Sequence, residues 1–381
     1  MPYALAKSGT NMKGVISQNT TWTVANSPYN ITGNVTVDNG VTLTIQPGVT
    51  VISKNNYDDG KGGIFQASLT VEGTLIAIGG SNDPITFNET QITFSPSSSE
   101  WNPQTDSGSI IKKCFFADTE VNIEASPKVD SNVFSGESST IVIKGGSAVI
   151  SNNFMTNNSM QIVYGWSGNT DIEIKDANNA TIVGNTIDDG MYGISADYPI
   201  AGFSFDSFSG TTTIENNFIT NNKGSGINCG ASFPLIIENN TITQNYVGLD
   251  LGAFSNKSVI ANNNIYNNTG VFDNVDRSVT LESSSGQFTK VNAAYNYWGT
   301  TDIAAISKSI HDSKNDPSLG TVTFNPILKS PNESAGPNDN VSKTIFQEEL
   351  LITGAVSATA AVVLALVALF VYRRKIQTKY K

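Results

Sequence analysis

Several residue types that often build active sites or cross-links are nearly missing from this chain of 381 residues. It has two cysteines, one histidine and, before residue 373, a single arginine. A disulfide scaffold, a histidine metal centre and a Ser–His or Cys–His catalytic pair are therefore not expected. The net charge of −11 repels nucleic-acid phosphate and argues against DNA or RNA as a partner.

An amphipathic helical stripe is also missing and leucine is scarce, but one short motif returns along the chain. It is an asparagine followed two residues later by a bulky apolar side chain. Its seven copies begin at Asn132, Asn153, Asn185, Asn217, Asn240, Asn263 and Asn296. The spacings are 21, 32, 32, 23, 23 and 33 residues. A period in this range indicates a solenoid, because one unit alone cannot bury its apolar face.

The chemistry of the repeat favours β-coils. Asparagine and glycine tolerate left-handed backbone angles at tight corners, and short β-branched runs such as Ile141–Ile143 lie between them. Leucine-rich repeats would need leucine and a helix in each unit, and propeller blades would need about 40 residues. We therefore predict an all-β, single-stranded, right-handed parallel β-helix of about ten coils. The longer intervals are predicted to be coils with roughly ten-residue loops at one corner.

Cys114 and Cys229 would then lie four to five coils apart, at a distance of roughly 20 Å, which is beyond disulfide reach. The side chains of both cysteines are expected to be buried and to pack as small apolar groups.

The C-terminal part of the sequence predicts a membrane anchor. Residues 350–372 contain no charge and would span roughly 35 Å as a helix, and Arg373, Arg374 and Lys375 follow at once. The positive-inside rule places the tail, residues 373–381, in the cytoplasm and the rest outside the cell membrane. Residues 329–349, rich in Ser, Pro and Asn, are predicted to be a solvated linker. Residues 1–13 are interpreted as the remnant of a signal region, with Ala4 and Ala6 near its cleavage site.

An extracellular position gives meaning to the glycosylation motif Asn-x-Ser/Thr. The candidate acceptors are Asn19, Asn30, Asn34, Asn88, Asn157, Asn179, Asn239, Asn256, Asn267, Asn332 and Asn340.

The two ends of the solenoid have motifs of their own. The opening coils, residues 14–90, contain SPYNITGNVTVDNGVTLTIQPGVTV, and the closing cap, residues 291–328, contains NYWGTTDIAAISKSIHD. Asp302 is expected to cap a short helix whose apolar face is Ile303, Ile306 and Ile310. With the repeat coils of residues 91–290, these motifs resemble right-handed parallel β-helix proteins of the pectin-lyase-like superfamily, above all membrane-anchored surface proteins of archaea and bacteria. The resemblance covers about residues 14–328. It implies the fold, but that fold carries lyases, hydrolases, adhesins and scaffolds alike.

The resemblance directs attention to lyase chemistry, in which acidic residues hold Ca²⁺ and an Arg or Lys abstracts a proton. Arg277 beside Asp273 and Asp276 is the best such cluster in the sequence, and a surface ion pair explains it equally well. Asp188, Asp189, Asp197 and Asp206 are the candidates for the paired carboxylates of a glycosidase, but Asp188-Asp189-Gly190 is more typical of a turn. His311 is expected to be structural. No metal or cofactor is predicted, except that Ca²⁺ would be the metal if the protein were a lyase.

Aromatic residues recur at similar offsets from the repeated asparagines and could line one edge of the solenoid. They are Tyr164, Trp166, Tyr198, Phe203, Phe233 and Phe254. Sugars pack their C–H faces on such rings, although the rings could equally stabilise the core or the loops. The sequence therefore favours a cell-surface scaffold or adhesive, carbohydrate-binding protein, whose partners are glycans, cell-envelope components or surface proteins. The alternative is a polysaccharide lyase or glycoside hydrolase.

Overall fold

The structure is a computed structural model that describes residues 9–53, 67–156, 158, 170–175, 179–196, 210–230, 234–252, 257–269, 277–281 and 290–337, and the backbone of residues 57–58 and 64–65. Met1–Asn338 form one compact unit. The second unit, Asp339–Lys381, lies outside the described residues and contains the predicted anchor, residues 350–372. In the part of the chain that is described, no helix is long and apolar enough to span a membrane.

Short β-strands make up nearly all of the regular structure. In chain order they are β1 (Thr10–Ile16), β2 (Thr20–Trp22), β3 (Tyr29–Val37), β4 (Thr42–Ile45), β5 (Thr50–Ser53), β6 (Tyr57–Asp58), β7 (Ile64–Phe65), β8 (Ser68–Val71), β9 (Thr74–Ile78), β10 (Ile85–Asn88), β11 (Gln91–Phe94), β12 (Ile110–Lys112), β13 (Cys114–Ala117), β14 (Glu120–Ile123), β15 (Lys128–Asp130), β16 (Val133–Ser135), β17 (Thr140–Ile143), β18 (Val149–Ser151), β19 (Phe154–Thr156), β20 (Thr170–Ile174), β21 (Thr181–Val183), β22 (Thr186–Asp188), β23 (Tyr192–Ala196), β24 (Thr212–Glu215), β25 (Phe218–Thr220), β26 (Ser225–Cys229), β27 (Leu235–Glu238), β28 (Thr241–Thr243), β29 (Val247–Leu251), β30 (Val259–Ala261), β31 (Asn264–Tyr266), β32 (Val279–Leu281), β33 (Lys290–Asn292), β34 (Ile310–His311) and β35 (Thr321–Thr323). A 3₁₀ turn at Val24–Asn26 precedes β3, and helix α1 (Ile303–Lys308) precedes β34.

Most strands stack in three parallel ladders, and a typical coil contributes one strand to each ladder. Outside these ladders, β33 pairs with β35 and β6 pairs with β7, while β1 pairs with β3 at the start of the solenoid. The first ladder is β2-β4-β9-β12-β15-β18-β21-β24-β27-β30. The second runs from the start of β3 through β5, β10, β13, β16, β19, β22, β25 and β28 to β31. The third runs from the end of β3 through β8, β11, β14, β17, β20, β23, β26, β29 and β32 to β34. The ten strands of the first ladder confirm the predicted β-helix of about ten coils.

Alternation along each strand sends one set of side chains into a continuous core. In β4, Leu43 and Ile45 are buried, while the threonines that alternate with them, Thr42 and Thr44, are only half-buried. Equivalent positions then stack from coil to coil, so that Ile172, Ile194 and Ile227 form one apolar column. Each coil thereby buries its apolar residues against the next coil instead of against a separate layer.

The repeated asparagines line one corner between the first and second ladders, and we call them the first amide ladder. All seven are at most 1% exposed. From Asn132 onward, each side-chain Nδ2 donates to the Oδ1 of the asparagine on the next coil, at 2.9–3.0 Å. The residue just before each one has a positive φ of 54–68°. The predicted tight corners, which need left-handed backbone angles, are confirmed.

The longer connections do not all leave from one corner, as the spacing had suggested. One separates β19 from β20, at the corner between the second and third ladders. Another separates β23 from β24, at the corner between the third and first ladders. The last interval is lengthened on both sides of β32. The prediction of a single loop-bearing corner is therefore wrong, because a repeat period gives the length of a coil but not the position of its insertion.

The closing cap agrees with the sequence only in part. The Asp302 carboxylate accepts a hydrogen bond of 2.9 Å from the Ala304 N–H and caps α1, and Ile306 is buried. Ile303 is 44% exposed, and Ile310 lies in strand β34 instead of on the helix. The apolar face of the helix is thus narrower than predicted, since its last isoleucine extends the third ladder.

A short segment after the cap lies against the outer face of the second ladder. We call residues 332–336 the strap. Asn332 Nδ2 donates to Asn262 O at 2.7 Å and to Asn239 Oδ1 at 3.1 Å. Thr241 Oγ1 donates to Ala335 O at 3.0 Å. This part of the predicted linker is therefore held on the solenoid instead of being fully solvated.

Candidate functional site

A polar row follows the outer face of the third ladder from coil to coil. We call it the outer row, and it consists of Glu173, Ser195, Asn228, Asp250, Thr280 and His311. Each residue follows an inward-pointing apolar residue of its strand, so the β-strand period directs it outward. Adjacent members are about 4.8 Å apart, because parallel strands have that spacing. The row therefore offers one hydrogen-bonding side chain per coil in a straight line.

The members of the outer row differ in exposure. Ser195 is 1% exposed, His311 is exposed, and the others are half-buried. Ser225 Oγ donates to Asp250 Oδ2 at 3.4 Å. The hydroxyl of Thr280 is buried and has no hydrogen-bond partner among the described residues. A buried hydroxyl without a partner is costly, so Thr280 is the member of the row with most to gain from a ligand.

Arg277 lies two residues before β32 of the third ladder, at the corner where Asn268 and Tyr246 lie. Its guanidinium carbon is 5.1 Å from the centre of the Tyr246 ring, within the range of a cation–π contact. Its backbone N–H donates to Asn268 O at 2.6 Å. The other two members of the predicted catalytic cluster, Asp273 and Asp276, lie outside the described residues. That cluster stays a prediction, and the structure adds only the stacking of Arg277.

The six predicted aromatic binding residues also lie outside the described residues, but the strands on either side of them are described. Tyr164 and Trp166 belong to the connection between β19 and β20. Tyr198 and Phe203 follow β23, and Phe233 and Phe254 follow β26 and β29. All four connections that carry them therefore enter or leave strands of the third ladder. No other ladder has all of the aromatic candidates next to its strands in the sequence.

The predicted turn at Asp188-Asp189-Gly190 is confirmed. Asp188 ends β22 and Asp189 has a φ of 60°. Burial raises the pKa of Asp188, and the hydrogen bond of 2.7 Å from Asn221 Nδ2 opposes that effect. Asp189 forms an ion pair of 3.2 Å with Lys223. The other two glycosidase candidates, Asp197 and Asp206, lie outside the described residues.

A second row of buried amides was missed by the sequence analysis. Asn222 Nδ2 donates to Asn245 Oδ1 at 2.8 Å, and Asn245 Nδ2 donates to Asn268 Oδ1 at 3.0 Å. We call this the second amide ladder, and it lies at the corner between the second and third ladders. The signal was available, since each member stands five residues after a member of the first amide ladder.

A charged cluster on the first ladder was also missed. Asp130 forms an ion pair of 2.8 Å with Lys112, and Lys128 lies 4.5 Å from the centre of the Trp101 ring. Burial raises the pKa of Asp130, but hydrogen bonds from Lys112, Asn152 and Ser151 outweigh burial and hold that pKa below its ordinary value. The cluster ties a long connection to the solenoid. In the described part of the chain, no group of three His, Cys, Asp or Glu side chains is arranged to hold a metal ion.

The two cysteines and the glycosylation candidates occupy varied environments. Cys114 in β13 and Cys229 in β26 are both buried, four coils apart, as predicted, and burial raises the pKa of the Cys114 thiol. Among the candidate acceptors, the exposed ones are Asn19, Asn34, Asn179 and Asn267, the half-buried ones are Asn88, Asn239 and Asn332, the buried one is Asn30, and those outside the described residues are Asn157, Asn256 and Asn340. Exposure favours the first group, and modification itself stays a prediction.

Three parallel ladders, a continuous core and a polar outer row define a right-handed parallel β-helix. The family model described as "Right handed beta helix region" matches residues 102–269 and 172–310, which together cover more than half of the chain. The chain belongs to this family.

The solved structures to which the chain is similar share little sequence with it. One is a mutant of the periplasmic alginate epimerase AlgG, with 12% identity, a TM-score of 0.27 and coverage of 80% of this chain and 74% of that one. Another is a mannuronic acid specific polysaccharide family 6 lyase from human gut microbiota, with 8% identity, a TM-score of 0.27 and coverage of 87% and 90%. No curated protein sequence matches the chain.

Proposed function

We propose that the protein is a surface-anchored β-helix whose third ladder binds a linear glycan along its outer row. The observation that carries the proposal is the regular spacing of this row, with one polar side chain on each of six successive coils. A periodic row suits a periodic ligand, because the same donor or acceptor can meet successive sugar units. The partnerless hydroxyl of Thr280 supports a polar ligand in particular.

The predicted aromatic residues support the same face. Tyr164, Trp166 and Tyr198 belong to connections next to third-ladder strands in the sequence, and aromatic rings stack on sugars while polar groups hydrogen-bond to their hydroxyls. Glycan sites commonly combine apolar faces with a few placed polar groups in this way. The uncharged segment of residues 350–372 and the basic residues after it would anchor the solenoid in the cell membrane, with the glycan-binding face outside.

Polysaccharide cleavage by a lyase or hydrolase is the second candidate, and the observation that favours it is Arg277, which stacks on Tyr246 at the corner that leads into the third ladder. Within the outer row, however, Asp250 and His311 are separated by Thr280, which puts them roughly 10 Å apart. A general acid or base must lie within hydrogen-bond reach of the proton that it transfers. The row by itself therefore resembles a binding track more than an acid–base pair, and we place binding first.

The test is binding of the full chain to an array of neutral and uronate polysaccharides, with and without Ca²⁺. We expect the double variant Asn228→Ala/Thr280→Ala to bind its preferred glycan at least about tenfold more weakly, which corresponds to about 1.4 kcal/mol. The matched control is Thr213→Ala/Val259→Ala, which removes outward side chains from the first ladder on the same two coils. This control should bind as the unchanged protein does.

The same samples separate the two candidate functions. Release of shortened or unsaturated sugars that stops in Arg277→Ala would favour the enzyme over the binding protein. A variant Trp166→Ala/Tyr198→Ala that binds normally would remove the aromatic residues from the site but leave the outer row. Equal loss of binding in the outer-row variant and in its control would contradict the assignment to the third ladder.

A further inference from the structure

The second amide ladder is interrupted at one coil. Its members Asn222, Asn245 and Asn268 stand two residues after the ends of β25, β28 and β31, and Asn158 has the same position after β19. After β22 the same position is Gly190. The backbone N–H of Gly190 still donates to Asn222 Oδ1 at 2.9 Å, as the asparagine N–H groups do on later coils. What the coil lacks is the side-chain amide.

A compensating change occurs on the facing strand of the third ladder. On the coils of β23, β26 and β29 the position opposite this corner is glycine, namely Gly193, Gly226 and Gly248. A Cβ on each of these would come within 2.9–3.0 Å of the Nδ2 of the asparagine on the next coil, so the amide fills the space that glycine leaves. On the preceding coil, the position in β20 that is equivalent to Gly193 is occupied by Asp171. The corner position on the coil after it, where an asparagine would be expected, is occupied by Gly190. The large and small residues have exchanged places.

The Asp171 side chain fills the space that is left open at Gly190. It is fully buried, and its Oδ1 accepts a hydrogen bond from Asn158 Nδ2. A Cβ added to Gly190 would lie 2.1 Å from Asp171 Oδ2 and 2.9 Å from Asn222 Oδ1. The carboxyl group therefore lies between Asn158 and the corner that Asn222 approaches. Its second oxygen, Oδ2, is buried and has no hydrogen-bond partner among the described residues.

Two oxygen acceptors cannot hydrogen-bond to each other unless one of them carries a proton. On the other coils the group that approaches the next Oδ1 is an Nδ2 donor. We propose that Asp171 carries a proton on Oδ2 in the folded protein and acts as the missing rung of the second amide ladder. As a neutral acid it accepts from Asn158 and donates toward Asn222, as an asparagine amide would.

The surroundings of Asp171 favour the neutral acid. Burial raises its pKa well above the ordinary value, and this effect outweighs the hydrogen bond from Asn158, which lowers the pKa. The like charges of Asp188 and Asp189 on the neighbouring turn raise it further. Among the described residues on the packed elements, Glu173 is paired with Lys175 on the same side of the strand, and Lys223 is paired with Asp189. Tyr192 is the titratable residue on the facing strand β23, and β17 contributes Thr140, whose hydroxyl donates to Thr170 O.

The proposal fixes the sign of a pH dependence. Well below the ordinary carboxyl pKa, about 4, Asp171 holds its proton in both the folded and unfolded chains, and the group has no effect on stability. Above that pH the unfolded chain releases the proton and the folded chain keeps it. Unfolding therefore becomes more favourable by about tenfold per pH unit until the pKa of the folded state is reached.

The decisive variant is Asp171→Asn in the full chain, because asparagine has the same shape and supplies the donor without a proton. We expect it to match the unchanged protein in thermal and denaturant stability near pH 4. Above pH 4, the ratio of the unfolding equilibrium constant of the unchanged protein to that of Asp171→Asn should rise by about tenfold for each pH unit. The control Asp38→Asn removes the same charge from an exposed turn and should show no such divergence.

Three outcomes would overturn the proposal. Asp171→Asn could be less stable at every pH, which would mean that the folded protein prefers the carboxylate. The unchanged protein could gain stability from added Ca²⁺ that Asp171→Asn does not gain, which would assign a cation to the position. The infrared spectra of the unchanged protein and of Asp171→Asn at neutral pH could show the same carboxylic acid absorption, which would mean that Asp171 carries no proton.

An exchange variant keeps the test informative if single variants fail to fold. Asp171→Gly/Gly190→Asn restores the arrangement of the later coils, with glycine on the third ladder and asparagine at the corner. We expect it to fold and to lose the pH-dependent difference described above. A double variant less stable than both Asp171→Gly and Gly190→Asn would contradict the exchange of positions on which the proposal rests.

Discussion

Asn240 illustrates how much one amide contributes to a coil. Its Nδ2 donates to Asn263 Oδ1, Ile214 O and Glu238 O, and its Oδ1 accepts from the N–H and Nδ2 of Asn217. Asn240→Ala removes these five hydrogen bonds, each with a net value of about 0.5–1.5 kcal/mol, and leaves the buried Asn217 N–H without its acceptor. We expect a loss of at least about 3 kcal/mol in the free energy of unfolding, measured by denaturant titration.

The matched control for this prediction is Asn34→Ala. Asn34 is exposed and accepts only long contacts of 3.4 Å from Ser68. Its replacement should change the free energy of unfolding by less than about 0.5 kcal/mol. Equal losses in the two variants would mean that the first amide ladder contributes no more than an exposed turn does.

Residue chemistry determined which parts of this corner could be predicted. The first amide ladder was visible because a buried asparagine at a left-handed corner imposes a local pattern that each coil repeats. The second amide ladder has the same spacing but is broken by Gly190, whose replacement partner, Asp171, is 19 residues earlier in the chain. A substitution compensated on another strand cannot be found by counting along one corner.

The strap is the element for which composition was misleading. A segment rich in Asn, Ser, Gly and Pro is predicted to be a solvated spacer. That prediction would hold if the neighbouring surface of the solenoid were apolar. Here the receiving groups are the backbone and side chains of Asn239, Thr241 and Asn262, which are equally polar. Polar composition therefore did not distinguish a free linker from one held by hydrogen bonds.

We predict that Asn332→Ala loosens the strap. The change removes the Nδ2 bonds to Asn239 and Asn262, and the Asn332 Oδ1 bond to Ser334 is lost as well. Limited proteolysis should then cut residues 329–337 faster while the core coils stay resistant. The exposed neighbour provides the control Glu333→Ala, which should be cut at the unchanged rate. Similar rates in all three proteins would show that these side-chain bonds do not hold the strap.

The same contacts affect modification of the strap. Both hydrogens of the Asn332 amide are used in the folded protein, so a glycan on Asn332 and the docked strap exclude each other. Asn239 and Thr241 of a second acceptor motif also contact the strap. The exposed acceptors Asn19, Asn34, Asn179 and Asn267 carry no such conflict. The structure therefore ranks the candidate acceptors by accessibility, which the sequence motif alone does not do.

At the scale of the whole molecule, a solenoid has few contacts between distant coils, and its stability should be distributed along the axis. Two regions are stabilised differently. In the coils β10, β13 and β16, the rings of Phe87, Phe116 and Phe134 stack at 5.1 and 4.3 Å, whereas the coils from β24 to β31 carry both amide ladders. Damage to one region should therefore reach its neighbouring coils first.

We test this distribution with Phe116→Ala, which removes a fully buried ring and costs about 3–5 kcal/mol locally. Hydrogen exchange should quicken in β10, β13 and β16 while the amides of β28 and β31 keep their protection. Asn240→Ala should produce the reverse pattern, because its partners lie on the coils of β25 and β31. Each variant is thus the control for the other. If either one lowers protection evenly from β3 to β34, the solenoid opens as one cooperative unit, and the coil-by-coil account of its stability is wrong.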